Sequence, residues 1–186
     1  KGITLMRLER MEEAEKNFAL PQDDRTATQL LTVERPTEEA PRESYTYYPH
    51  ASAIPEAVAV SVRGKSYKIV ANVEITANSS GVIFAHGSRF GGHSLFIKDK
   101  KLYYVYNFLG IKPEQVLVSS VRKPGKYTVG MEFIREKAGE NNESIGTAKL
   151  YVNDKEVAQG PMRTQVGKFT LSGDGLCVGF DSRSEE

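Results

Sequence analysis

The chain has 186 residues, with 25 Lys+Arg against 24 Asp+Glu, one cysteine and no tryptophan. That length holds one good core, or a domain with an appendage. The charge balance lacks the concentrated basic face that nucleic-acid binding needs. A lone thiol, Cys177, excludes both an intrachain disulfide and a Cys-pair metal site.

The chain begins KGITLMRLER, which holds no apolar centre or small-residue cleavage site of the secretory kind. No stretch approaches the roughly 18 apolar residues of a membrane helix. A cytoplasm and a periplasm both stay open as compartments. From Ile3 to about Leu20 the pattern is helical. Leu5, Leu8, Met11 and Phe18 fall near one face, and Pro21 ends the run. So short an amphipathic helix is marginal alone and needs a surface to dock on.

Residues 21–62 form a second zone, holding Pro21, Pro36, Pro41, Pro49 and Pro55. Proline blocks helix interiors and central strands, so an extended linker is expected. Its aromatic patch, Tyr45, Tyr47 and Tyr48, argues that the linker is pinned by packing. Gln22-Asp23-Asp24-Arg25 sets two carboxylates beside an arginine. In extended chain they point apart, so ion pairing and capping are the expected roles.

From about Arg63 to Glu186 the chain reads as short strands. Tyr67 to Ile75 alternates, and Asn78-Ser79-Ser80-Gly81 is turn chemistry. Val82 to Ala85 suits a buried strand. Arg89 to Gly110 then holds two alternating runs around Lys98-Asp99-Lys100-Lys101, a hairpin rich in tyrosine (Tyr103, Tyr104, Tyr106). Val116–Val118, Tyr127–Phe133, Thr147–Val152, Glu156–Ala158, Lys168–Leu171 and Leu176–Phe180 complete the set, with turns at Pro124-Gly125 and Asn153-Asp154. Many short strands without interleaved helices predict an all-β, antiparallel sandwich of jelly-roll type, preceded by the helix and the Pro-rich linker.

The chemistry-bearing residues are sparse. Cys177 sits in an apolar strand, where a thiol is ordinarily an inert packing group. His86 and His93 flank a glycine-rich loop and match no ligand spacing, so hydrogen-bonding roles at strand ends are expected. Gly91-Gly92 precedes a strand, not a helix, so it reads as a tight turn or a close backbone approach instead of a phosphate cradle. Arg89, His93 and Tyr106 are the candidates for ligand contact. No hydrolase triad, Walker loop or zinc motif can be assembled.

Several segments, in order, resemble a family of microbial arylsulfatases. Phe18 to Arg25, FALPQDDR, is similar to the NVLPLDDR that closes their catalytic part. Tyr45 to Pro49 resembles their TYTYYPG. Gly81 to Gly92, GVIFAHGSRFGG, resembles GVLVAQGGRFGG. Ser94 to Asp99, Tyr104 to Gly110 and Thr147 to Val152 continue the match, which covers about Leu8 to Phe180.

The resemblance implies the C-terminal region of a sulfuric ester hydrolase. Residues 1–20 would be a helix from the end of the catalytic part, 21–62 the linker and 63–186 a concanavalin-A-like sandwich. It implies a parent that uses formylglycine and calcium. The Cys/Ser-x-Pro-x-Arg motif is missing here, so no catalytic or metal residue is carried over and this chain should be inactive alone. The implied partner is the catalytic domain of the same polypeptide, with a glycan or sulfate-ester substrate beyond it, and neither nucleic acid nor membrane. The chain departs from the family at Lys100, where glycine is frequent, and at His93, where tryptophan is common. It also stops before the family's final strand, which would bare a sheet edge for self-association. A carbohydrate-binding module and an oligomerisation or structural domain are the alternative readings.

Overall fold

A computed structural model describes residue 16 and residues 42–56, 58–120, 123–166 and 175–181. The chain divides into two compact units, Lys1–Ser44 and Tyr45–Glu186. Apart from residue 16, the expected helix over residues 1–20 lies outside the described residues. So do the linker up to residue 41 and the expected strand Lys168–Leu171.

The second unit is an antiparallel β-sandwich of the expected class. Its strands are β1 (Tyr67–Ile75), β2 (Gly81–Ser88), β3 (Gly91–Lys98), β4 (Lys101–Asn107), β5 (Gln115–Ser120), β6 (Gly125–Ala138), β7 (Ser144–Val152), β8 (Lys155–Thr164) and β9 (Leu176–Val178). One sheet has the order β1-β6-β7-β8 and the other β5-β4-β3-β2-β9. Every named pairing is antiparallel.

Alternation in the sequence becomes the two faces of each sheet. Leu102, Tyr104 and Tyr106 of β4 are buried, while Tyr103, Val105 and Asn107 between them are half-exposed. The inward row of β3 is Gly91, His93, Leu95 and Ile97. From the facing sheet come Val129, Met131 and Phe133 of β6 and Ala148 and Leu150 of β7, all fully buried. Each large aliphatic or aromatic side chain enclosed here contributes roughly 1.5–3 kcal/mol. Pro161 lies in β8, which ends its sheet, the position where a missing N–H costs no ladder bond.

The segment before β1 packs on the sandwich. Ile54 pairs with Leu176 through two backbone hydrogen bonds, Ile54 N to Leu176 O at 2.9 Å and Leu176 N to Ile54 O at 2.8 Å. Of the three tyrosines expected to pin this stretch, Tyr47 packs against the core and its hydroxyl accepts the Val60 N–H at 2.9 Å. Tyr45 and Tyr48 are exposed.

The β3–β4 hairpin closes through Asp99 and Lys100, at φ 50° and 59°. Two residues with positive φ make a type I′ turn, whose twist matches the flanking strands. Lysine in that conformation is strained where glycine is not. Replacing Lys100 by Gly should raise unfolding stability by about 0.5–1 kcal/mol, net of glycine's greater entropy when unfolded. Urea denaturation checks this, and an unchanged or lower midpoint counts against it.

Candidate functional site

The most unusual chemistry lies inside the sandwich. His86 on β2 and His93 on β3 are direct cross-strand partners. Both point inward, His86 sharing parity with Phe84 and His93 with Leu95 and Ile97. Their ring centroids are 5.9 Å apart. The expected hydrogen-bonding role is met by His93, through Tyr104, and, among the described residues, not by His86; both rings face each other in the interior.

His93 Nδ1 lies 2.9 Å from the Tyr104 hydroxyl, which lies 2.8 Å from the Tyr67 hydroxyl. This row runs from β3 through β4 to β1 of the opposite sheet. The His93 ring is edge-on to Phe84 at 5.0 Å and to Tyr67 at 5.8 Å. Tyr106 stands next to it, ring centroids 5.8 Å apart, and its hydroxyl accepts the Gln165 backbone N–H at 2.9 Å. The Gln165 side chain covers Gly91, where an added Cβ would meet its amide at 2.4 Å.

Burial sets the protonation of this group. It pulls His93 down to about 3, with neighbouring His86 a smaller cause in the same direction. His86 is lowered by burial first, with Glu56 opposing and Arg63 adding to the effect. Tyr106 is pushed up to about 12 by burial, and Tyr67 and Tyr104 are raised for the same reason. Near neutral pH these groups are all uncharged. Arg63 and Glu56 form an ion pair at 3.2 Å, largely buried on both sides.

The three residues singled out for ligand contact do not converge. His93 and Tyr106 belong to this interior group. Arg89 is exposed on the β2–β3 turn, its guanidinium 4.9 Å from the Phe90 ring centroid. That turn is tied to the β4–β5 loop by Asn107, whose Nδ2 donates to Ser88 O at 3.2 Å and Arg89 O at 2.9 Å. Cys177 is buried on β9, as expected of a packing thiol. Gly91-Gly92 makes the close approach, with Gly92 directly opposite Gly87, while the turn itself falls at residues 89–90. Sequence reasoning missed Tyr67, Tyr104 and Gln165. The available signal was parity: His93 and Tyr104 each sit on the apolar row of an alternating strand.

The two outer faces differ in character. On the four-stranded sheet, Lys149 pairs with Glu156 at 3.0 Å, Tyr151 donates to Glu132 at 2.9 Å, and Lys68 lies 5.2 Å from the Tyr151 ring centroid. On the five-stranded sheet the outward rows of β3 to β5 bring together Ser94, Phe96, Tyr103, Val105, Val116 and Val118. Phe96 and Tyr103 stack at 5.1 Å and 6°. Val116 is 51% exposed and Val118 44%. Charge returns on these rows at Lys98 and Lys101, opposite each other beside the hairpin turn.

Among the described residues no group of three or more His, Cys, Asp or Glu could hold a metal ion. Nor is any helix among them long and apolar enough to cross a membrane. A shallow depression on the four-stranded sheet, lined by Asn72, Val73, Glu74, Lys126, Tyr127, Thr128 and Asn153, brings no catalytic pairing together.

No protein-family model matches the chain, and no curated protein matches it. Among solved structures, domains LG4-5 of the mouse laminin alpha1 chain are similar at 17% identity and a TM-score of 0.46, over 68% of this chain and 31% of that one. The chain thus spans under a third of the laminin structure's length.

Proposed function

We propose that this chain is the non-catalytic C-terminal region of an arylsulfatase-type hydrolase, and that its sandwich docks on the catalytic domain of the same polypeptide. The ordered sequence resemblance supports the parent enzyme. The observation that carries docking is the contrast between the outer faces. A solvated sheet face carries charge on its outward rows, as the four-stranded sheet does. The four-stranded sheet also exposes Val70 and Ile134, but among charged neighbours; the outward rows of β3 to β5 join Val116 and Val118 to the stacked Phe96–Tyr103 pair with no charge before Lys98 and Lys101, and such a patch marks an interaction surface. Lys98, Lys100 and Lys101 at one end would suit a rim of carboxylates on the partner.

The reading has two tests. The isolated chain should not hydrolyse an aryl sulfate ester, and measurable turnover would overturn the non-catalytic assignment. Supplied separately, the catalytic part should bind this chain. The double substitution Val116→Lys and Val118→Lys should weaken that binding at least tenfold, roughly 1.4 kcal/mol, while leaving the isolated sandwich folded. Unchanged affinity would sink the docking face. A reading frame with no sulfatase-type segment ahead of Lys1 would remove the parent enzyme.

The Phe96–Tyr103 stack also supports a second reading, a glycan platform, because aromatic faces stack on sugar rings. Saturable binding of an oligosaccharide to the isolated chain, lost in Tyr103→Ala, would favour that reading over docking.

A further inference from the structure

The two sheets end on the strands β1, β8, β5 and β9, and all but β1 are short or covered. β9 has three residues, and Leu176 bonds through both backbone groups to Ile54. β5 has six residues. β8 carries Pro161, and the Gln115 amide occupies its edge, donating from Nε2 to Arg163 O at 2.8 Å and accepting the Arg163 N–H at 2.7 Å. β1 differs. It runs for nine residues without proline, glycine or bulge, and its ladder is to β6 alone. Among the described residues no backbone hydrogen bond reaches its other edge. The inward row shows the same opening. Ile69, Ala71 and Val73 are only half-buried, whereas Val129, Met131 and Phe133 on neighbouring β6 are fully buried. A long, regular free edge is a template for another strand.

We propose that β1 pairs antiparallel with β1 of a second copy of this chain, joining two four-stranded sheets into one continuous sheet. Charge selects the occupant. A two-fold axis at Ala71 overlaps all nine residues of the strand and sets Lys68 opposite Glu74 of the second copy. The pairing is isologous, so Glu74 also meets Lys68 of the second copy, and both opposite-charge pairs lie on the outer face. Charges on an edge ordinarily turn another strand away. Here the lysine and the glutamate stand three positions to either side of Ala71, so the strand attracts its own symmetry mate. An unrelated strand would need a matching charge spacing, which a second copy carries by symmetry. The same register sets Ile69 opposite Val73 of the second copy on the inner face. Val70, 56% exposed, gains its own mate as a diagonal neighbour. Ala71 on the axis is the smallest side chain of the strand and lets the backbones approach. This edge is separate from the valine patch of the five-stranded sheet, and the proposal is independent of the sulfatase reading.

Sedimentation equilibrium of the chain at low ionic strength, where such pairs are least screened, is the test. A reversible monomer–dimer equilibrium is expected, with no larger species, because a two-fold pairing is closed. Lys68→Glu sets like charges opposite each other at both pairs and should weaken dimerisation about tenfold, and Glu74→Lys should do the same. The double variant Lys68→Glu, Glu74→Lys restores both pairs with their signs exchanged, and should recover the affinity to within about threefold of the wild type. Both positions are exposed, so circular dichroism should show every variant folded. A chain that stays monomeric at all concentrations overturns the proposal. So does a dimer indifferent to the single substitutions, or one that the double variant does not recover. A dimer lost instead in Val116→Lys, Val118→Lys would lie on the five-stranded face, and overturns it too.

Discussion

Acidification from pH 7 to pH 5 should destabilise the sandwich steeply, before its carboxylates begin to titrate in bulk. His86 and His93 are both held below their ordinary range by burial, His93 to about 3. In the unfolded chain each would take up a proton near pH 6.5. Between that value and the folded one, the unfolded state binds more protons than the native state, so stability rises with pH. It is fully present above pH 6.5 and is lost as pH falls toward the folded values. Each histidine that charges only on unfolding removes about 1.4 kcal/mol per pH unit. His93 alone removes up to roughly 2 kcal/mol by pH 5, and His86 acts in the same direction; a typical domain has only about 5–15 kcal/mol in all.

Among the described residues no carboxylate is placed to rescue a charged His93. It faces His86 from β2, Tyr104 and Tyr106 from β4 and Tyr67 from β1, and the nearby Glu56 is already paired with Arg63. Urea denaturation at half-unit pH steps measures the slope. The double variant His86→Phe, His93→Phe should flatten it between pH 6.5 and 5. An equally steep slope in that variant would assign the acid sensitivity elsewhere.

The second large effect is expected at Gly87. It lies opposite Gly92 in the β2–β3 ladder, at φ +116°, where an L side chain is strained. A Cβ there would stand 2.4 Å from Gly91 O and 2.5 Å from Gly92 Cα, both backbone atoms that cannot rotate away. Strain at such a φ costs about 1–3 kcal/mol, and overpacking against rigid neighbours costs about 1–3 more. Gly87→Ala should therefore lose roughly 3 kcal/mol or more, or fail to fold. Gly160→Ala is the control, because the added Cβ meets the Leu117 Cδ2 end of a flexible side chain at 3.2 Å. Its cost should stay within about 1 kcal/mol. A Gly87 variant as stable as the Gly160 variant would mean that the strands separate freely at this end.

The residues themselves determined the architecture. Tyr67 to Ile75 alternates in the sequence and is β1 at the same bounds, and the Lys98–Lys101 turn joins β3 to β4 as its polarity indicated. Strand ends were less legible. Beyond Val82–Ala85 and Glu156–Ala158 the ladders of β2 and β8 continue through glycines, a proline and polar residues. Partner strands keep those residues extended when their own preferences do not. Alternation also determined which residues are enclosed. It is a local property, set by side chains pointing to opposite faces of a pleated strand.

Only the tertiary structure decided what the enclosed residues meet. Register placed His86 against His93, and closure of one sheet on the other brought Tyr67 to Tyr104 across 37 positions of chain and Gln165 to Tyr106 across 59. Neither separation leaves a period or a spacing in the sequence. The pairing depends on which strands become neighbours and how the sheets stack. That is why the fold class could be read from residue pattern alone, while the buried polar group, with its acid sensitivity, required the assembled sandwich.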